Sequence, residues 1–273
     1  MQQPNKAKAT RSFIFLRLLL RLVLRILFKL EIVDTKGRKA KFPKQGGYIL
    51  ASNHLSWLDP FLFLAFAPAE PRIYFMAEKR GMVHSKFRNF MTNRIGGVIH
   101  VDTDKKNGSL GRELKAGVAE TLAGGGVLGI FPEGQVIEME TGQLLPFKKG
   151  IGYFAIDNNA PVLPVAIGGS KELYFRKRIK IVVGEMIDTE QLATLGKGKI
   201  AAEVVTSTTQ TAIAAIMPEF EPFDPQRRKF LRTWLTELFN INPESTLLRM
   251  ERAYRDSLKQ PKDKNEEKIK RAS

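Results

Sequence analysis

Residues 13–30 read FIFLRLLLRLVLRILFKL, an apolar run broken only by Arg17, Arg21, Arg25 and Lys29. On a helix each step of four residues advances about 40°, so the four cations cover roughly a third of the circumference and leave Phe, Ile, Leu and Val on the rest. The pattern predicts an amphipathic helix over about residues 11–31, lying in a lipid interface with its apolar face in the acyl boundary and its cations at anionic headgroups. Four charges within one span would cost several kcal/mol, about 2.5–3.5 each at the centre, which disfavours a transmembrane helix. A helix packed on the protein's own core and a snorkelling or re-entrant segment are the alternatives. A secretory leader would carry its cations ahead of an uninterrupted apolar core and end in small residues, and this stretch does neither.

Residues 31–47 are polar and carry Gly37, Pro43, Gly46 and Gly47, as a linker or a short strand and turn would. Beyond them, short apolar runs alternate with helical patterns. Strands are predicted at Tyr48–Ser52, Arg72–Ala77, Gly97–Val101, Val127–Phe131, Val162–Ile167 and Ile179–Val183, with helices near 58–67, 84–94, 109–123 and 147–158. This βαβα rhythm indicates one α/β domain, its mostly parallel or mixed sheet flanked by helices. Further helices are expected at 199–217, 225–240 and 244–259, followed by a highly charged tail with the composition of a disordered segment. The chain divides on this reading into a basic N-terminal segment (1–41), an α/β body (42–220) and a basic helical extension with its tail (221–273). The stretch RRKFLRTWLTELF in the extension mixes cations with Phe230, Leu231 and Trp234, so it reads equally as a second membrane contact or as packing on the body.

The charge follows the same division. Of the net +16, residues 1–41 hold +9, residues 42–225 only +1 and residues 226–273 +6. A near-neutral body between basic ends suits attachment to an anionic surface. Nucleic acid is disfavoured, since its cations would spread over the body and would not need so broad an apolar arc opposite them. With no cysteine, disulfides, Cys-ligated metals and a cysteine nucleophile are excluded.

The chemistry-bearing residues cluster at strand ends. In ASNHLSWLDPF a predicted strand delivers Asn53 and His54 to its C-terminal end, where open α/β sheets place ligands. Asp59 follows His54 by five residues, so a tight turn brings its carboxylate to the imidazole, an arrangement suited to general-base activation of a hydroxyl. A His five before an Asp also occurs as a plain structural pair. In IFPEGQ, Glu133 sits in a Pro-Gly turn after a buried strand and shares the His54 edge if the two strands run parallel. APVLPVAIGG is an apolar strand carrying Pro161 and Pro164, which mark an edge, a bulge or a ligand-shaping turn. His100, in a predicted strand, and His84, near a helix start, read as structural and surface residues.

Together these blocks resemble the glycerolipid acyltransferase family, the lysophosphatidic-acid acyltransferase-like enzymes with an HX4D motif. The resemblance covers roughly 45–185: NHxSWxD at Asn53–Asp59, GGVIHVD at Gly96–Asp102, FPEG at Phe131–Gly134 and VLPVAI at Val162–Ile167. It implies acyl transfer from acyl-CoA or acyl-carrier protein to a lipid-linked hydroxyl, with His54 as base and Asp59 orienting it. It also implies a backbone donor for the oxyanion, Asn53, Glu133 and Gly134 on the acceptor side, and no metal or redox cofactor. Two arginines usual in members with phosphate-bearing acceptors are missing: Thr103 stands at the first position, and Gln135-Val136 follow FPEG where the family has Thr-Arg. Lys105, Lys148 and Lys149 are the candidate substitutes, although an ammonium does not reproduce bidentate binding. Lysophosphatidate is the leading acceptor; another lysophospholipid, a glycolipid or an aminolipid is the alternative. An inactive membrane-binding homologue is the rival from another class. The expected setting is the cytoplasmic face of a membrane, as a monotopic protein.

Overall fold

Along Ile49, Leu50 and Ala51 every residue is buried, yet neighbours face opposite ways. Leu50 joins one apolar cluster with Phe75, Leu163 and Ile181, whereas Ile49 and Ala51 join another with Leu128, Val162 and Ala166. A strand with both faces covered is the signature of a central sheet between two helical layers. The computed structural model describes residues 6–78, 97–101, 109–194, 198–240 and 244–259.

The seven strands are β1 (Phe28–Asp34), β2 (Ile49–Ser52), β3 (Ile73–Glu78), β4 (Gly97–Val101), β5 (Val127–Ile130), β6 (Val162–Gly168) and β7 (Lys177–Val183). They form one sheet in the order β1-β7-β6-β2-β5-β3-β4. All neighbours are parallel except β6 and β7, so β1 and β7 run against the other five. The eight helices described are α1 (Arg11–Leu27), α2 (Asp59–Phe66), α3 (Ser109–Ala123), α4 (Gly150–Asp157), α5 (Thr189–Ala193), α6 (Lys199–Ala215), α7 (Arg232–Asn240) and α8 (Thr246–Lys259). Phe13 and Leu24 of α1, α2 and Leu235 of α7 pack on one face of the sheet; Val118 of α3, Ile151 of α4 and Val205 of α6 pack on the other.

Three expectations change. The helix stops at Leu27, not near 31, and Phe28–Asp34 is the edge strand β1, in a seven-residue parallel register with β7. Its Ile32-Val33 pair favours extended backbone, and Phe28 and Val33 are buried. A boundary at 41/42 therefore falls after a strand of the main sheet. The helix expected from 225 begins only at Arg232, because the chain before it carries Pro222 and Pro225 and makes a turn at Pro225-Gln226. The helix expected at 84–94 lies outside the described residues, as does His84.

The largest departure concerns the face that α1 presents. Phe15 (69% exposed), Leu18, Leu19, Leu22, Val23 and Ile26 point outward. Arg17, expected at headgroups, is only 7% exposed. Its guanidinium donates to Leu64 O at 3.0 Å and to Ala67 O, and Arg21 donates to Ala65 O at 2.8 Å and Phe66 O at 3.4 Å. These are the terminal carbonyls of α2, which has no basic residue of its own in its last turn. The two arginines thus cap a helix C-terminus, satisfying orphan acceptors and complementing the dipole. Burial, then the neighbouring Arg21 charge, pulls Arg17 down to about 10. The drift of the cation row turns the next member outward, and Arg25 and Lys29 are exposed.

Candidate active site

At the end of β2 the Asn53 side chain extends the ladder. Its Nδ2 donates to Ile167 O at 2.9 Å and its Oδ1 accepts from Ile167 N at 2.8 Å, fully buried. The predicted acceptor ligand is therefore a splice between β2 and β6, because a strand that ends inside the protein must still pair its neighbour's backbone groups.

The chain then turns tightly back on itself. Asp59, the first residue of α2, places Oδ2 2.7 Å from Leu55 N, 2.8 Å from Ser56 N and 2.9 Å from His54 Nδ1. Ser170, in the turn after β6, donates its hydroxyl to Oδ1 at 2.5 Å. Every neighbour donates to this buried carboxylate, which also sits at a helix N-terminus. With Nδ1–H directed at Asp59, the lone pair of the His54 ring lies on Nε2. Nε2 has no hydrogen-bond partner among the described residues, and the side chain is 18% exposed. This is the geometry of a base held in one tautomer with its free nitrogen outward.

The ring is also held from below. It stacks on Phe131 at 4.1 Å between centroids with 14° between planes, and Phe131 stacks on Phe75 at 5.5 Å. Gly129 makes room for this pile: a Cβ there would lie 2.4 Å from the Phe75 ring.

Since β2 and β5 are parallel neighbours, Glu133 does reach the His54 edge. Its Oε1 accepts from His54 N at 2.9 Å and its Oε2 from Leu145 N at 2.8 Å. Burial raises its pKa while those two bonds oppose the rise. Glu133 braces the loop that carries His54, and the acceptor role expected of it finds both its oxygens already engaged. Gly134 has φ +70°, and a Cβ there would lie 2.3 Å from Lys148 Nζ. The lysine therefore lies across the FPEG turn, its side chain exposed. Lys149 is directed elsewhere, pairing with Glu203 of α6 at 2.5 Å. Lys105 and Thr103 lie outside the described residues, and Gln135 is exposed beside Gly134. His100 lies in β4.

Four contributors carry no signal of their role in the sequence. Phe131 reads as the end of a buried strand, and Ser170 follows two glycines as an ordinary turn residue. Glu140 accepts from Gly169 N at 2.8 Å, and burial, reinforced by the Asp59 charge, raises it to about 7. Lys171 is buried next to Ser170 and reaches Asn240 Oδ1 at 3.4 Å; burial, then Arg249, lowers it to about 8. Among the described residues no three His, Asp or Glu side chains converge as a metal ion would require.

The model of the acyltransferase family matches residues 35–168, which contain the dyad, the FPEG turn and the β6 strand. The chain is 27% identical over 168 residues to the 1-acyl-sn-glycerol-3-phosphate acyltransferase of Bacillus subtilis, covering 60% of this chain and 79% of that protein. It is also 27% identical over 154 residues to the human 1-acyl-sn-glycerol-3-phosphate acyltransferase alpha, covering 56% of this chain and 51% of that one. The chain thus spans about half the length of the human relative. Among solved structures, the 1-acyl-sn-glycerophosphate acyltransferase of Thermotoga maritima shares the fold, with a TM-score of 0.54 and 17% identity over 74% of this chain and 79% of that one. The matched span, just under half of the chain, holds the whole HX4D turn and its brace, and over that span the chain is similar to the acyltransferase family.

Proposed function

We propose that the protein transfers a fatty acyl group from a thioester donor, acyl-CoA or acyl-carrier protein, to the free hydroxyl of lysophosphatidate. The observation that carries this is the His54–Asp59 pair at 2.9 Å with Nε2 left free beside the FPEG turn. His54 Nε2 takes the proton of the acceptor hydroxyl as its oxygen attacks the thioester carbonyl. Collapse of the tetrahedral intermediate breaks the C–S bond, and the imidazolium returns the proton to the departing thiolate. Asp59 holds the ring and balances the imidazolium while it exists. The products are an ester and a free thiol, so no enzyme nucleophile and no redox step are involved. Lys148, lying across Gly134, is the described cation best placed to meet the acceptor phosphate.

The exposed apolar stripe of α1 supports a monotopic seat in one leaflet, placed on the cytoplasmic side where the thioester donors occur. Among the described residues no helix is long and apolar enough to cross a membrane, and so large an exposed apolar face on one helix marks an interaction surface. Near the end of the stripe, exposed Phe175 packs edge-on against exposed Phe230, at 5.8 Å, and Trp234 is exposed too. These residues extend the apolar face into the C-terminal extension.

The test is an acceptor panel of lysophosphatidate, glycerol 3-phosphate, zwitterionic lysophospholipids and lyso-aminolipids, offered with each donor and with His54→Ala as blank. Histidine-dependent transfer to lysophosphatidate is expected. Transfer only to another acceptor would refute the phosphatidate reading and make Gln135 a specificity marker, and no transfer from either donor would refute the enzyme reading.

A further inference from the structure

Beside the apolar stripe of α1 the molecule carries a groove of about 920 Å³, at the upper end of small-molecule sites, about 300–1,000 Å³. It runs along the outer edge strand β1, with β7 and β6 between it and β2, so it is not the dyad's cleft. Arg21, Arg25, Lys29, Lys39, Arg176 and Arg178 line it, against a single carboxylate, Glu31. Glu31 itself leans toward Lys180, at 3.9 Å, which lies outside the groove lining. Apolar walls come from Phe28, Phe42 and Phe66.

Three observations converge on an anion with a hydrocarbon chain. First, the Arg21 and Arg25 guanidiniums stand 5.4 and 5.8 Å from the one Phe66 ring. The Arg21 pKa is lowered by burial and by the Arg25 charge, and neither arginine has a carboxylate within 4.0 Å among the described residues. An anion would relieve that repulsion. Second, the turn that supplies Arg176 is tied to the end of α1. Arg176 N donates to Leu27 O at 2.6 Å and Arg176 Nη1 to Arg25 O at 3.0 Å, with exposed Phe175 next to it. Third, Arg25 borders the apolar stripe on the helical wheel, so the groove opens where the stripe meets the sheet edge.

We infer that this groove holds the phosphate of an anionic phospholipid of the bilayer while its acyl chain lies along the exposed stripe of α1. The site is distinct from the acceptor site and rests on the proposed seat of α1 in the leaflet. Arg17 has no part in it. Four of the six cations come from outside α1, so the anion preference belongs to the assembled sheet edge, and an isolated α1 would lack it.

The experiment is co-sedimentation of the full chain with phosphatidylcholine vesicles made with and without phosphatidylglycerol. A Lys39→Gln/Arg178→Gln double variant is compared with Arg112→Gln/Lys115→Gln on α3, in the opposite layer, which changes the net charge equally. Each cation near an anionic surface is worth about fivefold in affinity, so the groove pair is expected to lose about 25-fold of the phosphatidylglycerol preference and the α3 pair less than about threefold. Binding to neutral vesicles and turnover on micellar acceptor are expected to stay at the wild-type level in both. Equal losses in the two variants would mean a whole-molecule charge effect and overturn the groove, as would an unchanged preference in the groove variant. A groove variant that keeps its vesicle preference but loses kcat/KM on micelles would make the groove an acceptor channel and overturn the proposal likewise. Failure of the wild type to bind even neutral vesicles would instead refute the seat of α1, and the groove's lipid role with it.

Discussion

Arg17 offers the sharpest test of which way α1 faces. Replacing it by Met keeps the length and apolar stem but removes the donors to Leu64 O and Ala67 O, leaving two acceptors at the C-terminus of α2 without their cationic cap. Hydrogen bonds from charged donors contribute about 1.5–3 kcal/mol each, and the relieved desolvation of the guanidinium offsets part of the sum. The net loss expected is about 3 kcal/mol, which for a chain of this size lowers the melting temperature by about 6–12 °C. Arg25→Met, which removes an exposed guanidinium stacked 5.8 Å from Phe66, should cost no more than about 1 kcal/mol. Thermal unfolding in neutral detergent with no lipid present separates the two. The reasoning fails if Arg17→Met melts with the wild type while its binding to anionic vesicles falls, because the side chain would then be facing headgroups.

Three further substitutions probe the floor of the site. Ser170→Ala removes the 2.5 Å donor to Asp59 and should lower kcat about tenfold with KM nearly constant, whereas a mainly raised KM would place Ser170 against substrate. Glu133→Gln turns an amide NH2 toward either His54 N or Leu145 N. A loss of about 1–3 kcal/mol in denaturant unfolding, with reduced kcat, is expected from the donor–donor conflict, and a KM effect alone would restore its role as an acceptor ligand. Lys171, lowered from 10.5 to about 8, holds fewer protons in the folded state between those values, so stability should rise with pH across that window. Below it the burial costs about 3 kcal/mol, and Lys171→Met should flatten the rise in urea midpoint; an equal slope in both proteins would refute the assignment.

The sequence shows the dyad because its two members lie within one turn, where spacing alone constrains distance. Glu133 could be placed at the same edge only on condition that β2 and β5 be parallel, and the sheet meets that condition. What its oxygens bind was beyond reach, since His54 N and Leu145 N are matched to it by the folded loops. Ser170 is 111 residues from Asp59 in the chain, and no local pattern announces such a pair. Strand β1 was hidden for a different reason. The apolar run continues unbroken from α1 into Phe28, and only pairing with β7, about 150 residues on, decides where helix gives way to strand.

The cations of α1 carry the most general lesson, because their period was legible and their direction was not. An amphipathic pattern specifies two unlike faces without saying which neighbour is water, lipid or protein. Here the polar face meets protein because the end of α2 offers unpaired carbonyls, which bind guanidinium directionally, whereas leucines can be met by any apolar phase. Arg17 and Arg21 therefore set the rotation of α1 on the body, and the apolar arc is turned outward as a consequence. The helix they cap runs eight residues, about 12 Å, from its arginine-bound end back to Asp59. If lipid takes up the outward arc, the bilayer is connected through α1 and one short rigid helix to the carboxylate that orients His54. The seat in the membrane and the His54–Asp59 pair are then opposite ends of a single lever, and the height of the imidazole above the acyl boundary is fixed by packing within the protein.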